Sequence, residues 1–157
     1  MTAFSRTISL NSPAETQAFA TQVATLLSPG DVVLLEGSIG AGKTHFARSL
    51  IQSLLPVMED VPSPTFTLVQ VYDGPSSEIW HADLYRLSAP DEVVELGLTD
   101  AFEDAICLVE WPDRLAELAP ENALTLRFEL SQQEEHRVLT MSAPSSNWAK
   151  KLEGIAA

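Results

Sequence analysis

The chain has 157 residues, room for one ordinary domain whose core needs neither a disulfide nor a structural metal. Hydrophobic residues make up 45% and charged residues 20%, which is a globular and not a disordered composition. Nine Lys plus Arg against 22 Asp plus Glu leave a net charge of −13; such a surface repels polynucleotide phosphates and anionic headgroups, so nucleic-acid binding without a partner is excluded as the default.

Taken in chain order, Arg6 to Leu10 reads as a short strand. Ser12-Pro13 with Glu15 then gives a hydroxyl cap, a first-turn proline and an acid three residues on, the start of a helix carrying Phe19, Val23, Leu26 and Leu27 at helical spacing. Pro29-Gly30 ends it. Asp31 to Glu36 holds the unbroken run Val32-Val33-Leu34-Leu35, expected of a strand buried on both faces, and such strands belong to parallel α/β sheets. A helix from about Lys43 to Leu55 follows a glycine-rich loop and ends at Pro56. Thr65 to Tyr72 and Glu78 to Tyr85 are aromatic and β-branched segments separated by Asp73-Gly74-Pro75, which predicts an antiparallel hairpin and therefore a mixed sheet. A helix near Pro90 to Leu96 with Gly97 as its cap leads to a second buried strand, Ala105 to Glu110. Ala123 to Leu130 and His136 to Ser142 predict a last pair of strands, and Trp148 to Ile155 a terminal helix. With no repeat and no dividing linker, residues 1–157 form a single α/β domain: three layers, with a mixed, largely parallel central sheet and an antiparallel hairpin.

Gly37-Ser38-Ile39-Gly40-Ala41-Gly42-Lys43-Thr44 matches G-x-x-x-x-G-K-[ST] at every fixed position. It follows a buried strand and opens an amphipathic helix, so it predicts a P-loop in which successive backbone N–H groups and a helix N-terminus face bound phosphate. Gly37, Gly40 and Gly42 let the backbone take positive φ and approach phosphate without a Cβ. Lys43 bridges the β- and γ-phosphates of ATP as a point charge, and the Thr44 hydroxyl is a Mg²⁺ ligand. The alternative is a glycine-rich turn with a solvated lysine.

Magnesium calls for a carboxylate near Thr44 at the carboxyl end of a neighbouring strand. Two acids compete. Glu110 ends Ile106-Cys107-Leu108-Val109, and Asp83 lies on a strand whose alternation puts Ile79, His81, Asp83 and Tyr85 on one face and Trp80, Ala82 and Leu84 on the other. Glu110 is assigned to the metal, directly or through water, and Asp83 to orienting a metal-bound or attacking water; the reverse assignment stays open. The structural alternatives are Asp83 pairing with Arg86 or capping a turn, and Glu110 as a surface acid. Thr65, in Ser63-Pro64-Thr65 on the first connection after the P-loop helix, is the candidate for sensing the γ-phosphate from a loop that orders with nucleotide; a plain turn accounts for it equally well. Trp111 is either core or nucleotide-adjacent.

Between Asp91 and Asp113 lie eight acids and no Lys or Arg, a solvated face or a surface for a basic partner. The single Cys107 precludes an intramolecular disulfide and reads as an inert core thiol, which fits a reducing compartment and a cytoplasmic location. No leader-like segment and no apolar run of about 18 residues suggests export or a membrane. His45, His81 and His136 lack metal-ligand spacing, and no G-x-S-x-G elbow supports acyl transfer.

GSIGAGKTHFAR (Gly37 to Arg48), SPTFTLV (Ser63 to Val69), HADLYRL (His81 to Leu87) and LVEWP (Leu108 to Pro112), in that order, together resemble the bacterial TsaE (YjeE) ATPases. The resemblance runs from about Leu10 to Pro112. It implies a P-loop fold that binds ATP and Mg²⁺, hydrolyses slowly when alone, and serves formation of threonylcarbamoyladenosine beside the tRNA anticodon with TsaD-type and TsaB-type partners, meeting tRNA only through them. It also implies nucleotide contact along the loop as far as His45, magnesium at Thr44 and Glu110, roles for Asp83 and Thr65, and a position for Arg137 near the nucleotide. Two other functions remain to be separated from this one. A small-molecule or nucleoside kinase would want an arginine-rich lid, whereas the arginines here are scattered; a nucleotide-dependent binding switch would need no hydrolysis.

Overall fold

In a computed structural model of the chain, the described residues are 4–38, 41–56, 60–62, 64, 67–133, 136–144 and 147–153. Ser12 caps the first helix, its hydroxyl accepting from the Glu15 N–H, while the Glu15 carboxylate accepts from the N–H of Asn11 rather than from that of the cap. This start fixes α1 (Pro13–Ala24) after β1 (Phe4–Leu10). The chain continues through β2 (Val32–Gly37), α2 (Lys43–Leu54), β3 (Val69–Asp73), β4 (Glu78–Asp83), α3 (Pro90–Glu95), α4 (Leu98–Asp104) and β5 (Ile106–Glu110). After 3-10 turns over Pro112–Leu118 it closes with β6 (Leu124–Leu130), β7 (Arg137–Ala143) and α5 (Asn147–Lys151).

The seven strands form one sheet in the order β1-β7-β6-β2-β5-β4-β3. The central run β6-β2-β5-β4 is parallel, and the pairs at its flanks, β3 with β4, β6 with β7 and β1 with β7, are antiparallel. Strand alternation splits the core in two. Val33, Leu35, Ile79, Ile106 and Leu108 pack with Phe19 and Val23 of α1, Phe46 and Leu50 of α2 and Trp148 of α5. Val32, Leu34, Ala82, Cys107 and Val109 face Val93 of α3, Leu98 and Ala101 of α4 and Leu115. The helices thus cover both faces of a mixed sheet, the three-layer arrangement expected of buried parallel strands.

Three local readings are corrected. The strand expected from Thr65 begins only at Val69, because Leu68 sits at φ 69°, a left-handed conformation that no strand accommodates. Gly97 does more than end a helix: at φ 84° it closes α3 and at once opens α4, a helix beyond the one expected from sequence. The turns over Pro112–Leu118, broken at Ala116 (φ 49°), were likewise unforeseen. The terminal helix is described as far as Lys151, and residues 154–157, where it was expected to continue, lie outside the described residues. No described helix is long and apolar enough to cross a membrane.

Cys107 is fully buried on β5, and burial, helped by Asp104, pushes its thiol up to about 12. The unfolded thiol ionises near 9, so above that pH the folded state holds a proton that the unfolded state has lost, and stability falls as pH rises. Cys107→Ala should cost about 1 kcal/mol at pH 8 through lost packing. Wild type should then lose about 1.4 kcal/mol more than the variant between pH 8 and pH 10. Urea midpoints of the two proteins at both pH values check this, and parallel losses would contradict it.

Candidate functional site

β2 ends in Gly37 at φ 144°, where an added Cβ would lie 2.6 Å from the Phe128 carbonyl oxygen of the neighbouring β6. Only glycine permits this turn so close to another strand. Gly42, at φ 112°, then caps α2 by backbone alone, leaving the first-turn N–H groups of a 12-residue helix directed at the loop. Ile39 and Gly40, named from the motif, lie outside the described residues, as does Thr65. Leu68, just before β3, does meet the site, its carbonyl accepting from the Asp83 N–H at 2.8 Å.

The Lys43 side chain is 4% exposed. Its ammonium donates to the carbonyls of Gly37 and Ser38 and lies 3.7 Å from the centre of the Trp111 ring, a cation–π contact. Trp111 follows Glu110 directly and adopts a left-handed conformation (φ 59°), which a bulky residue takes only where its surroundings impose it. Its ring also packs against that of Tyr85, the centres 4.8 Å apart and the planes tilted by 52°. Trp111 is therefore a lid over the lysine. Burial pushes the Lys43 ammonium below the ordinary lysine range, and the carboxylates of Glu110, Asp83 and Asp113 draw it part of the way back.

Opposite the loop, the two candidate acids sit side by side, since Asp83 of β4 and Glu110 of β5 are register partners on parallel strands. Both are buried, Glu110 at 2% exposure, which removes the surface-acid alternative. The Thr44 hydroxyl donates to the Glu110 carboxylate at 2.9 Å from Oε1 and 3.1 Å from Oε2. Oε2 also lies 2.7 Å from Nε2 of the fully buried His81. Asp83 Oδ1 accepts from the Tyr85 N–H at 3.0 Å, so it does cap the turn after β4 while standing at the site.

The remaining candidates divide. The Arg137 guanidinium reaches the loop, Nε donating to the Ala41 carbonyl at 3.1 Å. His45 turns away, its Nε2 lying 3.0 Å from the Pro13 carbonyl at the start of α1. Sequence reasoning missed His81 as a site residue and left Trp111 undecided. The signal for His81 was the His-x-Asp alternation on β4, which puts both side chains on the face that meets Glu110.

The fold and the site define an α/β domain in which a glycine-rich strand-to-helix turn faces a buried acid on the adjacent parallel strand. A family model described as threonylcarbamoyl adenosine biosynthesis protein TsaE matches residues 10–139, a span that runs past the resemblance noted from sequence and takes in Arg137. Relatives named tRNA threonylcarbamoyladenosine biosynthesis protein TsaE include that of Rickettsia bellii, 40% identical over 121 residues that cover 77% of this chain and 84% of that protein. The Bacillus subtilis relative of the same name is 34% identical over 145 residues, covering 92% and 89%. The crystal structure of Bacillus subtilis YdiB superposes with a TM-score of 0.78 at 28% identity over 98% of this chain and 95% of that one. The chain belongs to the TsaE family, whose members take part in tRNA threonylcarbamoyladenosine biosynthesis.

Since burial is the largest influence on Lys43, removing its cover should undo the shift. Trp111→Ala is expected to return the Lys43 pKa toward 10.5, and Glu110→Gln to lower it further by removing the largest favourable charge. The pH dependence of the Lys43 ¹⁵Nζ resonance measures both; a fall in Trp111→Ala would contradict the assignment.

Proposed function

We propose that the chain binds ATP with Mg²⁺ on the segment Gly37 to Thr44 and hydrolyses it in the service of tRNA threonylcarbamoylation, acting with TsaD-type and TsaB-type proteins. The observation that carries this reading is the contact of Thr44 with Glu110 beside the buried Lys43. A hydroxyl and a carboxylate are hard oxygen donors at one point, and Mg²⁺ takes one or two such protein oxygens, completing its shell with phosphate and water. The donor chemistry therefore fits the ion, which when bound would neutralise negative charge on the phosphates.

The chain's own residues supply the rest. First-turn amides of α2 and the Lys43 ammonium present positive charge to the phosphates. Trp111 covers the lysine and keeps water from it, which strengthens each of these electrostatic contacts. Thr44 and Glu110 are the residues that would hold the metal. Asp83, one strand away in register, orients the attacking water, and Arg137 steadies the loop through Ala41. Exposed Asp91, Glu95, Asp100, Glu103 and Asp104 on α3 and α4 make this flank unsuited to tRNA phosphate, so contact with tRNA runs through the partner proteins.

The test is phosphate release from Mg-ATP by the chain alone and with TsaB-type and TsaD-type proteins and unmodified tRNA. Slow release that rises in the full mixture is expected. Lys43→Ala should abolish ATP binding, whereas Glu110→Ala and Asp83→Ala should reduce release about a hundredfold with less loss of binding. Normal turnover by all three variants would overturn the site. Fast release that ignores the partners would favour a kinase whose acceptor is a small molecule.

A further inference from the structure

His81 is the other buried group on the Glu110 carboxylate, and nothing in the proposed chemistry so far uses it. Its ring is fully buried, Nε2 lies 2.7 Å from Glu110 Oε2, and Nδ1 has no hydrogen-bond partner among the described residues. An ionised carboxylate only accepts, so this contact requires the proton on Nε2. The neutral Nε2–H tautomer then leaves the unpaired Nδ1 as a bare acceptor and spares the fold a second buried donor without a partner.

Placement on the sheet points the same way. His81 and Asp83 are two residues apart on β4 and share a face, and Asp83 is the register partner of Glu110. The strand thus sets the imidazole one step behind the acid, on the core side, where Oε2 lies against the ring and the Thr44 hydroxyl reaches the carboxylate from α2. A carboxylate on a free side chain rotates about its last bond. One fastened at Oε2 by a rigid buried ring keeps both oxygens in fixed places before Thr44, Oε1 the nearer at 2.9 Å. A neutral imidazole does this without cancelling the charge that attracts a cation.

We infer that His81 is a positioning residue: its Nε2–H fixes the Glu110 carboxylate in the orientation that presents Oε1 beside Thr44, so that Mg²⁺ strengthens ATP binding. This rests on the reading of the site as one for Mg-ATP. His81 itself contacts neither nucleotide nor metal. Partners of this kind, one bond behind a metal ligand, typically change metal affinity by about 10- to 100-fold when removed.

Two measurements test it. In metal-free, nucleotide-free protein, the long-range ¹H–¹⁵N spectrum of the imidazole should show a proton on His81 Nε2; a bare Nε2 overturns the inference. Calorimetric titration of ATP in Mg²⁺ and in EDTA then compares wild type with His81→Gln, His81→Asn and His81→Leu, each checked for an unshifted thermal midpoint. The glutamine amide nitrogen reaches the place of Nε2 and the asparagine nitrogen that of Nδ1. His81→Asn and His81→Leu should therefore lose about tenfold or more of the Mg²⁺-dependent gain in affinity, with binding in EDTA unchanged within about twofold. His81→Gln should keep most of the gain. If the leucine variant fails to fold, the Gln and Asn pair still decides, and equal loss in both, or no loss in either, overturns the role. A wild-type protein whose ATP binding ignores Mg²⁺ would overturn the Mg-ATP reading itself, and this inference with it.

Discussion

Burying an ionised carboxylate costs several kcal/mol unless hydrogen bonds or an opposite charge offset it, by roughly the amounts that govern any buried ion. Glu110 lies at the end of a fully buried strand and is held there by the Thr44 hydroxyl, the His81 ring and the nearby Lys43 ammonium. Thr44 and Lys43 open α2, and His81 lies on β4. The carboxylate therefore ties together β5, β4 and the start of α2, and the site exists because the fold keeps these three ends in one place.

The parallel centre of the sheet accomplishes that placement. β2, β5 and β4 are neighbours in register, so their carboxyl ends finish at one edge, and the loop that leaves β2 opens α2 over the same edge. Ligands in open α/β sheets meet the protein at these strand ends. Alternation then selects the face. Ile106, Leu108 and Glu110 share the side on which α2 packs, as do Ile79, His81 and Asp83, so both acids face the helix start and not the opposite core. Trp111 completes the enclosure by a strained turn one residue beyond the acid, which buries Lys43 while keeping it in reach of the loop carbonyls.

Much of this was legible in the residues because it depends on local pattern. The glycines that turn at Gly37 and Gly42, the unbroken apolar runs of β2 and β5 and the hairpin at Asp73-Gly74-Pro75 each state their own geometry. What escaped depends on contacts between distant segments. Nothing near Leu68 announces a left-handed residue, so the pattern overstates the length of β3; Gly97 has the signature of a single cap although it serves two helices. Spacing to other ligands says nothing for His81, whose importance lies in the pairing of β4 with β5, a register that no single strand encodes. The acidic segment from Asp91 to Asp113 mixes two kinds of acid: Asp91, Glu95, Asp100, Glu103 and Asp104 are exposed, and Glu110 is among the most buried polar residues of the chain. Composition treats them alike, and only the end of an apolar run set Glu110 apart.

The central claim, that the meeting of Thr44 and Glu110 is the metal end of a triphosphate site, is tested most directly by a crystal structure with Mg²⁺ and a non-hydrolysable ATP analogue. The account predicts the triphosphate along the turn from Gly37 to Thr44, the ion on the Thr44 oxygen with Glu110 beside it, and Lys43 moved from the loop carbonyls to the phosphates. A nucleotide bound elsewhere, with Thr44 still donating to Glu110 and Lys43 still on Gly37, would contradict it.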